Sequence, residues 1–246
     1  MIVVRSNHPC RLHGFFVWKI SMIVPSPQIR ATVPFQLGDL ALMIRPAIMD
    51  DLAPMLQLQA LAFADKFSSA FGKRGIQRGV AALHQSHQMQ GPSSLQGMYV
   101  MLAGSELVGT ITLRTIEMRP DDVGLVEQAF LRELGAWGAF RAVHALSQID
   151  HRIGRDEGFI SDVAVAESYR RRGIAQAMMR HSMTLARELG KKRLGLYVSA
   201  SNHSARALYR NLGFSEGQVR RSWWNALFLG ERRWIYMSYN LRETSA

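Results

Sequence analysis

The stretch DVAVAESYRRRGIAQAMMR, residues 162–180, decides the fold. A β-rich apolar run leads into three arginines and one glycine, and a helical pattern follows at once. A helix N-terminus carries partial positive charge and favours anions, so Arg170, Arg171 and Arg172 stand where the macrodipole opposes them. The conflict disappears if an anion rests on the free backbone N–H groups of the first turn. Gly173 suits such a site, because it adopts backbone conformations that other residues resist and lets a ligand approach closely. The loop Arg170, Arg171, Arg172, Gly173, Ile174, Ala175 offers consecutive amides, and these match a pyrophosphate better than a single phosphate. The pattern is neither the Walker loop nor the dinucleotide-binding glycine fingerprint. On these residues alone, a solvated basic turn is an equal reading.

Working outward, residues 173–189 read as an amphipathic helix with Ile174, Ala177, Met178, Leu185 and Leu189 on one side. Gly190 is its natural C-cap. FISDVAVA before it and KRLGLYVSA after it are strands. SNHSARALYRNLGF is a helix capped by Asn202 or Ser204 and stopped by Gly213, and RRWIYMSYNL is a closing strand. Strand, helix, strand, helix implies a parallel pair with a right-handed crossover. Upstream, LALMIRP reads as a strand. MDDLAPMLQLQALAFADKF reads as one helix capped by Asp50, and RGVAALHQSHQM as a second. Residues 99–103 and 107–113 read as a hairpin. Residues 120–150 read as a helical insertion broken near Gly135 or Gly138. Residues 1–40 hold four of the eight prolines and no clear period, and are expected to be a poorly ordered extension of a single domain at 41–246.

Composition narrows the function classes. The chain has 246 residues, 48% hydrophobic and 20% charged, which suits an ordinary globular protein. Its one cysteine, Cys10, excludes an intramolecular disulfide and a Cys/His zinc cluster. His84 and His87 have metal-compatible spacing but no acidic or thiol neighbour, so no metal is expected. The run GFFVWKISMIV is interrupted by Lys19 and too short to span a bilayer, and no leader-type cleavage site follows it. A cytoplasmic protein with no membrane partner is expected. The net charge is +11, and residues 151–246 carry 17 Lys+Arg against 8 Asp+Glu. A basic surface of this kind serves nucleic acid, acidic lipid or a phosphate-rich ligand. Arginines gathered round a glycine loop favour the last, and no nucleic-acid partner is expected.

Two motifs in order bring a family into view. Ala164-Val165 precedes Arg170-Arg171-Arg172-Gly173-Ile174-Ala175, which fits [QR]-x-x-G-x-[GA]. Asn202, Ala205, Leu208, Tyr209, Gly213 and Phe214 then fit N-x-x-A-x-x-L-Y-x-x-x-G-F at every position. Together they resemble the GNAT superfamily of N-acetyltransferases, by motif over residues 159–214 and by element order over 43–241. The resemblance implies an α/β (α+β) fold. It has a central mixed, mostly antiparallel sheet of six to seven strands, flanking helices, and a parallel strand pair splayed around acetyl-CoA. It implies transfer of an acetyl group from acetyl-CoA to a primary amine by direct attack. The pyrophosphate would lie on the 170–175 amides. The pantetheine arm would pair with the backbone at Val163, Ala164 and Val165. Asn202, with Ala205 in the same motif, would contact that arm or order the following helix. Tyr209 would donate a proton to the departing thiolate.

The chemistry asks for the same parts. An amine with a pKa of about 10.4 must lose a proton before it attacks, and a thiol of about 8.5 leaves better beside an acid. An N–H donor for the developing oxyanion is expected at Val163 or a neighbour. The base is where the chain departs from many relatives, which carry Glu or His where this one has Ser161. Asp162 and Glu157 are the candidates, acting through water, although strand alternation points Asp162 to the opposite face from Ser161. A non-catalytic acyl-CoA-binding module on the same fold is the alternative. The acceptor, a small molecule or a peptide, is not named by the sequence, and a homodimer is left open. Lys191, Lys192 and Arg193 read as a solvated turn in reach of the CoA 3′-phosphate. Phe130, Trp137 and Phe140 read as covering the sheet, with a lid over an apolar acceptor as the second option. Trp223 and Trp224 read as part of a late hairpin.

Overall fold

The computed structural model describes residues 32–118, 122–147, 151–221 and 233–242. Among these described residues eight strands form one sheet: β1 (Val33–Leu37), β2 (Leu40–Pro46), β3 (Met98–Ala103), β4 (Glu106–Thr115), β5 (Glu157–Val165), β6 (Arg193–Ser199), β7 (Ser215–Arg221) and β8 (Arg233–Asn240). Their spatial order is β1-β2-β3-β4-β5-β6-β8-β7, and only β5 and β6 run parallel. Six helices accompany them: α1 (Leu52–Ala62), α2 (Ala64–Phe71), α3 (Ile76–Gln90), α4 (Val123–Ser147), α5 (Ile174–Glu188) and α6 (His203–Asn211).

The sheet has one strand more than expected, and the extra one is β1. It lies in the segment read as an extension, turns at Gly38 (φ +64°) and pairs with β2 from Leu37↔Leu40 to Val33↔Ile44. Val33, Phe35 and Leu37 alternate toward the core while Pro34 and Gln36 stay exposed, and proline is tolerated on an edge strand. The long first helix divides at Phe63 (φ −118°, ψ 38°) into α1 and α2. Asp51, not Asp50, stands before α1. Its carboxylate is taken up by Arg45 at 2.5 and 2.8 Å and by the Ile48 N–H at 2.8 Å. The break in α4 falls at Gly135 (φ 72°, ψ 174°), as the sequence suggests.

Strand alternation sorts the core into two layers. Tyr99 and Met101 of β3 join Leu42, Ile44, Met178 and Met179 on the α5 face. Met98 and Val100 of β3 join Leu52, Met55 and Leu56 of α1 on the other. A third cluster seats Phe130, Ala139 and Ala142 of α4 against Ala82 of α3. Among the described residues, no helix is long and apolar enough to cross a membrane.

Candidate active site

The site begins where β5 and β6 part. Their parallel register runs from Glu157↔Arg193 to Ile160↔Leu196 and then stops, although β5 continues to Val165 and β6 to Ser199. Each strand stays paired on its outer side, β5 with β4 as far as Gly109↔Val165 and β6 with β8 as far as Ser199↔Trp234. Only the two facing edges are left open. The cause is an extra residue in β5: Thr112 opposes Ser161 and Thr110 opposes Ala164, so Asp162 and Val163 share one partner position. Such a bulge bends the strand that carries it. Asp162 holds φ +53°, a left-handed conformation that few side chains adopt and that aspartate tolerates better than most.

The resulting wedge is a cavity of about 130 Å³, bordered by Ser161, Asp162 and Val163 on one arm and Tyr197, Val198 and Ser199 on the other. Asn202, Ala205 and Tyr209 close its side. Asn202 orders the helix: its Oδ1 accepts from the Ala205 N–H at 3.0 Å and from Ser204 Oγ at 3.1 Å. Tyr209 is buried, and burial pushes its hydroxyl up to about 12. Ala164 is buried under the strand, and the Val165 carbonyl accepts from Arg170 Nε at 3.2 Å.

The N-terminus of α5 follows. Gly173 caps it at φ +85°, ψ −1°, and Arg171 also holds a positive φ of 63°. The first amide to bond back is that of Ala177, to the Gly173 carbonyl at 2.9 Å. Among the described residues, the N–H groups of 171–176 donate to no backbone carbonyl. A Cβ at Gly173 would meet only Leu37 at 3.8 Å, so it is the positive φ, not crowding, that requires glycine. Arg170 turns back onto β5, and Arg172 stacks over the Tyr169 ring at 5.6 Å. Tyr169 in turn donates to Glu106 at 2.7 Å. Ile174 is buried, so it and half-buried Ala175 can offer a ligand little beyond backbone. Two of the three arginines are thus engaged locally, and the open groups here are main-chain amides.

A larger cavity of about 550 Å³ opens from the same bulge. α3 lends Leu83, Ser86, His87 and Gln90 to its wall, and α4 lends Val126, Phe130 and Val143. The two cavities share Lys66, Ile160, Ser161, Asp162, Tyr197 and Trp234. Strand alternation fails here. Ser161 and Asp162 border the same space, and Ser161 Oγ donates to Asp162 Oδ2 at 2.8 Å, because the bulge rotates Asp162 out of the strand's two-residue period.

Glu157 lies away from both cavities. It is 2% exposed and surrounded by donors: the Tyr236 hydroxyl at 2.5 Å, the Gly154 N–H at 3.2 Å and Arg193 at 3.4 Å, with His151 Nε2 at 3.1 Å. Burial pushes its carboxyl up, but the hydrogen bonds outweigh burial and hold it below the ordinary glutamate value. His151 stacks on Phe159 at 4.4 Å and borders the larger cavity, so it links Glu157 to that cavity.

Two further expectations change. Of Lys191, Lys192 and Arg193, read as a solvated turn, Lys192 and Arg193 are exposed but Lys191 is not. Lys191 is buried and donates to Glu117 at 2.5 Å and the Arg155 carbonyl at 2.8 Å, Lys192 pairs with Asp156 at 2.7 Å, and Arg193 meets Glu157. They tie down the paired end of β5 and β6, opposite the wedge. Of the insertion's aromatics, Phe130 is fully buried and lines the cavity. Trp137 and Phe140 are exposed and stack on each other at 5.9 Å, so they neither lid the site nor cover the sheet. Trp223 and Trp224 lie outside the described residues. His84 and His87 join no group of three or more His, Cys, Asp or Glu among the described residues. Sequence reasoning missed Lys66, His151 and Trp234, which no local motif marks.

Known proteins agree with this architecture. The model of the acetyltransferase (GNAT) family matches residues 62–214. The [ribosomal protein bS18]-alanine N-acetyltransferase of Escherichia coli K12 is 38% identical over 69 residues, 28% of this chain and 47% of that protein. The uncharacterized N-acetyltransferase YycN of Bacillus subtilis is 38% identical over 65 residues, 26% of this chain and 42% of that one. The chain thus spans about half the length of the curated relatives it matches. A crystal structure of an acetyltransferase superposes with a TM-score of 0.54 at 19% identity, covering 81% of this chain and 99% of that one. An N-acetyltransferase from Staphylococcus aureus Mu50 gives 0.50 at 17% identity, covering 82% and 99%. These two likenesses establish the fold. With the family match running from the end of α1 through the second motif, the chain belongs to the acetyltransferase (GNAT) family.

Proposed function

We propose that the protein transfers an acetyl group from acetyl-CoA to a primary amine held in the larger cavity. The observation that carries this reading is the open wedge between β5 and β6, with the free amides of the α5 N-terminus beside it and Tyr209 on its wall. The residues fit the co-substrate. A pyrophosphate would rest on the amides of 171–176, where the dipole and the donors act together. The pantetheine arm, itself an amide chain, would satisfy the unpaired edge at Val163.

The amine nitrogen attacks the thioester carbonyl carbon. A C–N bond forms and the C–S bond breaks, so the acceptor leaves as an amide and CoA as the thiolate, which takes its proton from solvent. The N–H at Val163 or a neighbour steadies the carbonyl oxygen. The amine proton passes through water to Asp162, which faces both cavities. Tyr209 acts as a hydrogen-bond donor to the sulfur. Against a thiol of about 8.5, complete proton transfer from a hydroxyl raised to about 12 is uphill by a factor of about three thousand. Glu157 positions His151 at the cavity wall. The acceptors named for relatives, alanine residues of ribosomal protein bS18, make a protein N-terminus one candidate acceptor class.

The test is CoA release from acetyl-CoA in the presence of an amine panel of amino acids, polyamines, aminoglycosides and peptides. Turnover with one class is expected. Tight acetyl-CoA binding with no release across the panel would make the fold a binding module instead.

A further inference from the structure

Acetyl transfer as drawn above leaves Lys66 without a task. Its ammonium lies 4.7 Å from the centre of the Phe63 ring and 4.8 Å from that of Trp234, at the junction of the two cavities. Among the described residues it makes no hydrogen bond and no ion pair. Burial holds its pKa below that of an ordinary lysine, and the negative charge of Asp162 acts the other way. A half-buried cation without an anion is costly, and two aromatic faces offset only part of that cost. Arg114 also lines the larger cavity, but it already has a partner.

The neighbouring anion is Asp162. It feels the charge of Lys66 without pairing to it. Lys66 and Asp162 therefore flank the mouth where the proposed donor and acceptor meet. Behind them the wall is mostly apolar, with Leu83, Val126, Phe130 and Phe159, and Gln90 and Glu127 are among its polar residues. The complement of this arrangement is a molecule with an amine and a carboxylate on one carbon and an apolar body.

We infer that Lys66 receives the carboxylate of the acceptor while Asp162 faces its amine, so that the acceptor is a free α-amino acid with an apolar side chain. This rests on the acetyl-transfer reading and narrows it. A protein N-terminus has a peptide bond where this site asks for a carboxylate, and so leaves Lys66 unpaired.

The experiment compares L-leucine, L-methionine and L-phenylalanine with their carboxamides as acceptors, using the full chain and following CoA release. For at least one pair, kcat/KM for the acid is expected to exceed that for the amide by 30-fold or more. In Lys66→Met that ratio falls to near one. Lys66→Gln serves as a second variant if the first does not fold. Amides turned over as well as acids by the unaltered protein, or a ratio that survives in both Lys66 variants, would overturn the inference and leave acetyl transfer standing. Turnover of other amines but none of the three acids has the same consequence. No turnover with any amine defeats both readings.

Discussion

The Tyr236 hydroxyl donates to Glu157 across β6, passing directly over Gly195. A Cβ at Gly195 would lie 2.5 Å from the tyrosine oxygen and 2.6 Å from the carboxylate. The glycine is the gap through which β5 and β8 are joined. Gly195→Ala should force the two side chains apart, at a cost of about 2 kcal/mol from overpacking plus a strained hydrogen bond. At roughly 2–4 °C per kcal/mol for a chain of this size, thermal melting should fall by several degrees. Melting within one degree of the unaltered protein would show that the contact contributes little.

Glu157 also gives stability a pH dependence of known sign. Its folded carboxyl is held below the ordinary value, so its contribution is present above about pH 4.3 and is lost as pH falls through the folded pKa. Glu157→Gln should cost about 1–3 kcal/mol near neutrality and flatten the acid limb of a urea-unfolding series. An acid limb of unchanged slope would remove Glu157 as its source.

Gly173→Asp places a side chain and a negative charge where an anion is proposed to bind, in space that is otherwise open. Acetyl-CoA affinity measured by calorimetry should fall more than about 100-fold, which requires only about 2.7 kcal/mol. Arg170→Ala and Arg172→Ala remove side chains already engaged at Val165 and Tyr169, and each should change affinity by less than about tenfold. Normal binding by Gly173→Asp would overturn the pyrophosphate assignment.

Asp162→Asn is a clean probe of the proposed base, because asparagine tolerates the left-handed backbone that this bulge needs. With acetyl-CoA saturating, kcat should fall about 100-fold. An unchanged kcat would end the water-relayed role of Asp162.

Tyr209→Phe keeps the ring that packs near Phe214 and removes only the hydroxyl. kcat should drop about tenfold to 100-fold while KM for acetyl-CoA stays within threefold. Since its hydroxyl titrates at about 12, no alkaline limb below about pH 11 should be traceable to it.

The wedge was legible because its parts are local in sequence. Gly173 and its loop precede an amphipathic helix directly, and Asn202 to Phe214 form one continuous cap, helix and stop. Strand, helix, strand order sufficed for the parallel pair. What stayed hidden depends on distant partners. Lys66 matters through Trp234, 168 positions away, and no local pattern joins them. Lys191 looked solvated because Glu117 lies 74 positions upstream. Asp162 was assigned to the wrong face because a bulge shifts the period without leaving a glycine to mark it. β1 was overlooked because Pro34 masked the alternation of Val33, Phe35 and Leu37.

The break at Gly135 leaves α4 as two half-helices, with Val126 and Phe130 before the joint and Val143 after it, all three against the larger cavity. The wedge, by contrast, is framed by β5, β6 and α6, with no residue from α3 or α4. The protein is therefore divided like a tool with a fixed handle and an exchangeable bit. Sequence drift in the jointed wall can retune which guest is admitted while the part proposed to grip the activated acyl group stays as it is.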